Sequence, residues 1–173
     1  PLIMYLHGGT NKKLDVQALL TTDGFPKYLY DGYYDNLRAY VVIPKLANKY
    51  NSWVNVSDEL RNLIKEMNTN YEIDLKKVSL TGHSMGGTGT YLVQTKLPNT
   101  FACIAPMSGS VKNSEENLNA LSKTKIWAFV GTNDKIVDPA STRTIIETLK
   151  SKGSNVRMTE LVGATHFDPI FRL

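Results

Sequence analysis

Short apolar runs recur along the whole chain, separated by more polar segments. The runs are LIMYL (2–6), AYVVIP (39–44), KVSLTG (77–82), FACIAPMSG (101–109), IWAFVG (126–131) and VRMTELVG (156–163). The first five are nearly continuous in hydrophobicity, which is typical of strands covered on both faces in a parallel sheet. The last run alternates more, which predicts a strand nearer the sheet edge.

Helical spacing of apolar residues appears between several of these runs, over 56–67 and 145–149. The segment 85–97 also predicts a helix, because it follows a glycine-rich turn and ends before Pro98. Strands that alternate with helices predict a mostly parallel sheet, and right-handed crossovers place helices on both of its faces. The segment 10–38 is the least regular part of the sequence.

The length of 173 residues suits one domain, 1–173. We therefore predict an α/β fold with a mostly parallel sheet of about six strands. The net charge of +4 is scattered, without a block of lysine or arginine, which argues against a nucleic-acid partner. No apolar run approaches the roughly 18 residues that a membrane span needs. The single cysteine excludes an internal disulfide and a zinc site built from several cysteines, and we predict no metal.

The stretch TGHSMGG (81–87) places Ser84 between Gly82 and Gly86, after a predicted strand and before a predicted helix. A nucleophilic serine stands clear of the sheet on such a sharp turn, where glycines two residues away remove a steric clash. The N–H of Met85 then faces a developing oxyanion. The alternatives are a solvated serine in a glycine-rich turn and a phosphate loop. The phosphate loop is disfavoured, because the third glycine of G-x-G-x-x-G and the G-K-[ST] motif are absent.

A serine nucleophile needs a base, and the chain has three histidines. His166 follows the last strand and comes after Ser84, as the order of this motif class requires, so we predict that it is the base. His83 adjoins the serine and is predicted to be a packing residue, since the side chains of neighbours on a sharp turn point apart. His7 is predicted to shape its loop. The glycines after it bring a second oxyanion donor near the substrate, from Gly9 or Thr10, with Gly9 the first choice.

The acid that orients the histidine is expected between the serine and the histidine. Asp134 and Asp138 both follow a strand there. Asp138 precedes Pro139 and a helical pattern, which is typical of a helix N-cap. Asp168 also precedes a proline and is again interpreted as a cap. Asp134 has no such explanation, so we predict that it fixes the tautomer of the imidazole.

The chain resembles α/β-hydrolases, and more narrowly the predicted peptidase and esterase group related to polyhydroxybutyrate depolymerases and feruloyl esterases. The resemblance rests on MYLHGG, IDLKKVSLTGHSMGGTGTY, FACIAPMSG, KIWAFVGTNDKIVDPAST and TELVGATHF, in the family's order. It implies a triad of Ser84, Asp134 and His166, an oxyanion hole from Met85 and the HGG loop (7–9), and hydrolysis of carboxylic esters without a cofactor.

The chain departs from this family at its ends and in one connection. The usual fold has two strands before the HGG strand, so N-terminal strands are expected to be missing, and a longer closing helix usually follows the histidine. Many relatives carry a lid after the strand ending APMSG, whereas only 16 residues (110–125) follow it here. We therefore predict an open site without a cap domain, which suits a small-molecule or polymer-linked ester.

Aromatic residues near these motifs are candidates for substrate binding. Tyrosines on the irregular segment could line a wall of the site or simply pack a covering loop, and Tyr33 is the candidate taken from them; the set is Tyr28, Tyr30, Tyr33 and Tyr34. Trp53 is a second candidate, although a core position is favoured for it.

Two other functions are compatible with the same residues. The same triad could cleave peptide or thioester bonds, and a hydrolase scaffold could serve as a non-catalytic binding module. The sequence leaves the oligomeric state undetermined. A cytoplasmic location is favoured, and secretion would require a segment before Pro1.

Overall fold

In the computed structural model, which describes residues 1–171, the chain forms one sheet whose paired strands are all parallel. The spatial order of the strands is β2-β1-β3-β4-β5-β6. The strands are β1 (Leu2–Leu6), β2 (Tyr40–Val42), β3 (Val78–His83), β4 (Cys103–Met107), β5 (Lys125–Gly131) and β6 (Val156–Leu161). The α/β fold predicted from the sequence is confirmed, and β6 lies at a sheet edge as its alternating pattern predicted.

Helices connect the strands. The α-helices are α1 (Val16–Thr22), α2 (Gly24–Tyr30), α3 (Ser57–Tyr71), α4 (Met85–Lys96), α5 (Glu115–Leu121) and α6 (Pro139–Ser151). Short 3-10 helices cover Gly9–Lys13, Trp53–Val56, Leu75–Lys77 and Asp168–Ile170. No helix of the described residues has both the length and the apolar character that crossing a membrane requires.

Alternate strand residues point to opposite faces and form two unequal apolar clusters. The larger cluster joins the residues at 2, 4 and 6 of β1 to buried side chains of α3, α4, α5 and α6. The smaller cluster contains Tyr5 of β1 and the partly buried Phe25 of α2. Helices therefore lie on both faces, with most of the core on one of them.

Two expectations from the hydrophobic pattern are wrong. The segment 10–38 contains α1 and α2, which are seven residues each and too short for helical periodicity to be visible. Local capping supports α1, since the Asp15 side chain accepts a hydrogen bond from the N–H of Ala18. The run at 39–44 predicted a strand covered on both faces, but β2 is a three-residue edge strand in which Tyr40 is 48% exposed.

The connection between β4 and β5 contains one helix, α5, whose Leu118 and Leu121 are buried in the larger cluster. Within residues 1–171 this connection forms no cap domain. A connection without a cap domain is what the short spacing between the two strands predicted.

Candidate active site

The site lies where the chain changes direction across the sheet. From β1 the chain moves outward to β2, and it then returns to β3 on the other side of β1. Ligands of open parallel sheets bind outside the carboxyl ends of the strands at such a switch point. The HGG loop leaves β1 there and the Ser84 turn leaves β3, so both sequence motifs reach one crevice.

Ser84 occupies a strained turn between β3 and α4. Its φ of 57° and ψ of −116° lie outside the regions that L residues favour, at a cost of about 1–3 kcal/mol. The turn also brings backbones close together, because a Cβ on Gly82 would lie 2.7 Å from the backbone of Gly86. A Cβ on Gly86 would overlap the carbonyl of Leu6. Glycines flank the serine because only they allow this approach.

Ser84, His166 and Asp134 form a continuous hydrogen-bonded line. The Ser84 Oγ lies 2.7 Å from His166 Nε2, and His166 Nδ1 lies 2.7 Å from Asp134 Oδ2. A carboxylate only accepts hydrogen bonds, so Nδ1 carries the ring proton and Nε2 is free to accept from the serine hydroxyl. His166 and Asp134 are buried, at 3% and 6% exposure, whereas Ser84 is half-buried. The structure therefore brings the three predicted residues together in the order that proton transfer from serine requires.

Asp134 is held in place by the turn that follows β5. Its Oδ1 accepts hydrogen bonds from the N–H groups of Ile136 and Val137, at 2.8 and 2.9 Å, which leaves Oδ2 directed at His166. Asp138 caps α6 through the N–H of Ala140, as predicted. The prediction that Asp168 caps a helix is wrong. Its carboxylate accepts hydrogen bonds from the N–H and the hydroxyl of Thr165, and Asp168 is itself the first residue of the short helix Asp168–Ile170.

The HGG loop lies against the serine turn. A Cβ on Gly8 would be 3.6 Å from the Cβ of Ser84, and one on Gly9 would be 3.8 Å from the Met85 side chain. The N–H of Met85 is at the start of α4, where backbone N–H groups have no intrahelical acceptor. Two backbone segments, each at the start of a helix, thus meet beside Ser84.

His7 fixes the orientation of the peptide between Gly8 and Gly9. Its Nε2 accepts a hydrogen bond from the N–H of Leu46 at 3.2 Å, so Nδ1 carries the proton and donates to the Gly8 carbonyl at 2.8 Å. Burial lowers the pKa of His7, which keeps the ring neutral in this role. In a trans peptide the N–H points opposite to the carbonyl, so the Gly9 N–H points away from His7. The prediction that His7 shapes its loop is confirmed.

A buried polar cluster under this loop had no signal in the sequence. The Asp23 carboxylate, 2% exposed, accepts from the Tyr5 hydroxyl at 2.8 Å and from the Asn11 amide at 2.7 Å. Burial raises the pKa of Asp23. Because Asn11 belongs to the Gly9–Lys13 helix, the cluster ties the predicted donor segment to β1.

The two aromatic candidates have different outcomes. Trp53 is 1% exposed, and its indole N–H donates to the His7 carbonyl at 3.0 Å. The favoured core position is confirmed, and the prediction that Trp53 binds substrate is wrong because its ring is sealed beneath the HGG loop. Tyr33 is 71% exposed and packs edge-on against Tyr28 at 5.0 Å, which fits a covering loop. A role for Tyr33 in substrate binding stays a prediction.

A groove of about 550 Å³ opens beside the HGG loop. It is lined by Gly9, Thr10, Lys12, Lys13 and Asn48, two of which carry a positive charge. Among the described residues, no group of three or more His, Cys, Asp and Glu side chains is arranged to hold a metal ion.

Solved structures with the same fold include esterases. A thermostable esterase superposes with a TM-score of 0.79 at 23% identity, over 95% of this chain and 47% of the esterase. A mutant of the feruloyl esterase module from Clostridium thermocellum, complexed with sinapinate, superposes with a TM-score of 0.76 at 19% identity. That match covers 99% of this chain and 73% of the module. These likenesses establish the fold, which is that of the α/β-hydrolases.

Sequence relatives point to the same class of protein. The bifunctional acetylxylan esterase/xylanase XynS20E of Neocallimastix patriciarum is 36% identical over 80 residues, which are 44% of this chain. The match spans 11% of that relative, so this chain corresponds to a small part of it. The model of the dienelactone hydrolase family matches residues 7–167. Because this match extends over most of the sequence, from the HGG loop to the residue after His166, the chain belongs to the dienelactone hydrolase family of the α/β-hydrolase superfamily.

Proposed function

We propose that this protein hydrolyses carboxylic esters in two steps through an acyl-enzyme on Ser84. The observation that carries the proposal is the unbroken line from the Ser84 hydroxyl through His166 to Asp134, with 2.7 Å at each hydrogen bond. Membership of a hydrolase family and the esterases among the relatives support the same reaction. Within residues 1–171 the connection between β4 and β5 forms no cap domain, which suits an ester attached to a small molecule or to a polymer.

In the first step, His166 Nε2 takes the proton of Ser84 as the Oγ attacks the ester carbonyl carbon. The tetrahedral intermediate collapses when the alcohol leaves with the proton from His166, and Ser84 becomes acylated. In the second step, water attacks the acyl-enzyme as His166 takes a proton from it, and the acid is released when His166 returns that proton to the Ser84 Oγ. Asp134 stays ionised and stabilises the imidazolium that forms in each step.

The N–H groups of Met85 and Gly9 form the proposed oxyanion hole. Met85 supplies the first N–H of α4, where the helix dipole also favours negative charge. Gly9 supplies the N–H that points away from the carbonyl held by His7. Each such donor typically lowers the barrier by about 3 kcal/mol.

Removing the Gly9 N–H is expected to lower kcat by about 10²-fold to 10³-fold, which is the usual cost of one oxyanion donor. The Gly9→Pro variant makes this change with little strain, because Gly9 is the first residue of a 3-10 helix, where proline is tolerated. Gly8 is extended, with φ −72° and ψ 170°, as a residue before proline must be. Steady-state kinetics with a p-nitrophenyl ester measures the effect.

The matched control is Gly9→Ala, which keeps the N–H and adds a methyl group in ordinary contact with Met85, at 3.8 Å. It should retain most of the activity. If Gly9→Pro were as active as Gly9→Ala, the second donor would lie elsewhere, and Thr10 would be tested next.

The bond that is cleaved can be identified with matched acyl donors. We expect p-nitrophenyl esters to be turned over with Ser84 intact, and the corresponding anilides to react far more slowly. The ester series runs from acetyl to dodecanoyl, together with acetylated xylan and feruloylated glycans, which the names of the relatives suggest. Preferred turnover of thioesters or anilides would instead favour a thioesterase or peptidase. A folded protein that binds esters without turnover or fluorophosphonate labelling would be a binding module.

A further inference from the structure

The backbone carbonyl of His166 accepts two buried side-chain hydrogen bonds. The His83 Nε2 lies 2.8 Å from this oxygen, and the Ser108 hydroxyl also lies at 2.8 Å. His83 is 3% exposed and Ser108 is fully buried. Two buried donors on one carbonyl fix the orientation of the His166 backbone relative to the sheet.

Both donors are attached to the part of the sheet that carries the nucleophile. His83 is the last residue of β3 and directly precedes Ser84. Ser108 directly follows β4, and its N–H donates to the Phe129 carbonyl of β5 at 2.9 Å. Ser108 adopts a left-handed φ of 46°, which is unfavourable for a serine and is maintained here by its surroundings. The position of His166 is thereby tied to the strand ends beside it.

The hydrogen bond to the His166 carbonyl and the burial of the ring define the tautomer and the charge of His83. A carbonyl only accepts, so the proton of the ring is on Nε2. Burial lowers the pKa of His83 to about 4, so the ring is neutral near neutral pH. The rings of His83 and His166 are 4.9 Å apart, and a neutral His83 places no like charge beside His166 when that ring takes the Ser84 proton.

Residues next to His166 in the sequence are also held by hydrogen bonds. The Ala164 carbonyl accepts from the N–H of Asn133 at 2.9 Å, and Thr165 donates to Asp168. In the described part of the chain, the hydrogen bonds to the carbonyl of His166 itself come from His83 and Ser108.

We propose that His83 and Ser108 are positioning residues that hold the His166 backbone so that its Nε2 stays within hydrogen-bond distance of the Ser84 Oγ. The inference rests on the proposed function of Ser84 and His166, and it assigns work to two residues outside the triad. In this role both side chains act through the backbone carbonyl of His166. Misplacing a catalytic group by about 1 Å can cost 10²-fold in rate, so the loss of this support should be measurable.

The test compares variants that remove a donor with one that replaces it. We expect His83→Leu and Ser108→Ala each to lower kcat by about 10-fold to 100-fold with KM nearly unchanged, because the substrate still binds but the base is misplaced. His83→Gln can place an amide N–H near the position of Nε2 and should recover most of the lost rate. Ser57→Ala is the control, since it removes a comparable hydroxyl bond, to the Val54 carbonyl, in which no residue of the triad takes part.

A measurement without substrate separates this inference from the proposed function. The proton shared by His166 and Asp134 should give a low-field NMR resonance, which should shift or broaden in Ser108→Ala and His83→Leu but persist in His83→Gln and Ser57→Ala. The NMR resonance reports on the position of His166 even if no ester is turned over. If His83→Leu fails to fold, Ser108→Ala and His83→Gln carry the comparison.

Three results would overturn the inference. The first is an unchanged kcat and an unchanged resonance in both donor-removing variants. The second is a parallel loss of rate in Ser57→Ala, which would indicate general destabilisation. The third is a failure of folded His83→Gln to recover either readout. By contrast, esterase activity that is absent from the wild type or retained in Ser84→Ala would contradict the proposed function, while the NMR comparison would still decide this one.

Discussion

Replacing Ser84 with alanine is expected to lower kcat for ester hydrolysis by about 10⁴-fold to 10⁶-fold, because the group that forms the acyl-enzyme is lost. The fold should be preserved, since alanine keeps the Cβ and meets the same backbone conformation as serine at φ 57°. Residual rate above that of water would come from the oxyanion donors and from substrate binding. Initial rates with a p-nitrophenyl ester and labelling by a fluorophosphonate probe measure the two consequences.

Ser151→Ala is the matched control for this variant. Ser151 is exposed at the end of α6 and donates to the Thr148 carbonyl, so its loss should leave both rate and labelling unchanged. Circular dichroism and thermal unfolding of both variants check that the fold is intact. Undiminished labelling of Ser84→Ala would place the nucleophile at another residue and would refute the proposed mechanism.

Replacing Asp134 with asparagine should lower kcat by about 10⁴-fold, because the imidazole is forced into the wrong tautomer. The asparagine oxygen is expected to remain with the N–H groups of Ile136 and Val137, which now bond to Oδ1. The amide NH₂ then faces His166 and donates to Nδ1. The ring proton moves to Nε2, which can no longer accept the proton of Ser84.

Asp138→Asn provides the comparison in the same loop. Asp138 caps α6 through the N–H of Ala140, and asparagine is an equally good cap, so the rate and the unfolding temperature should both stay close to those of the wild type. The kcat of Asp134→Asn should recover partly at high pH, because a serine that has already lost its proton needs no base. An activity of Asp134→Asn near that of wild type would assign the orienting acid elsewhere.

The main parts of the site could be predicted because each has a local signal. Ser84 has its glycines, Asp134 follows a strand without capping a helix, and His166 follows the last strand. The carboxyl ends of parallel strands meet at one edge, so three positions far apart in sequence were expected to converge. The alternation of strands and helices predicted the fold by the same reasoning, because short hydrophobic runs need helices to cover them.

Other features could not be predicted from local patterns. Trp53 was a candidate for the substrate wall, and its burial depends on the HGG loop, β1 and α4 packing around it. The helices α1 and α2 are too short for periodicity to reveal, and Phe25 in α2 is held by contact with Tyr5. Asp23 holds the Gly9–Lys13 helix from a buried position, and it does so only because two distant segments supply its hydrogen-bond donors.

The sequence by itself determined which chemistry we propose for the chain, since the residue types and their order along parallel strands predict a serine, an aspartate and a histidine at the carboxyl ends of the strands. Only the tertiary structure decided how these groups are held. The support for His166 comes from His83 and Ser108, which are 83 and 58 residues away, and no local pattern marks either of them. The physical reason is that strand patterns depend on neighbouring residues, whereas a buried hydrogen bond depends on which distant backbone groups packing brings within about 3 Å.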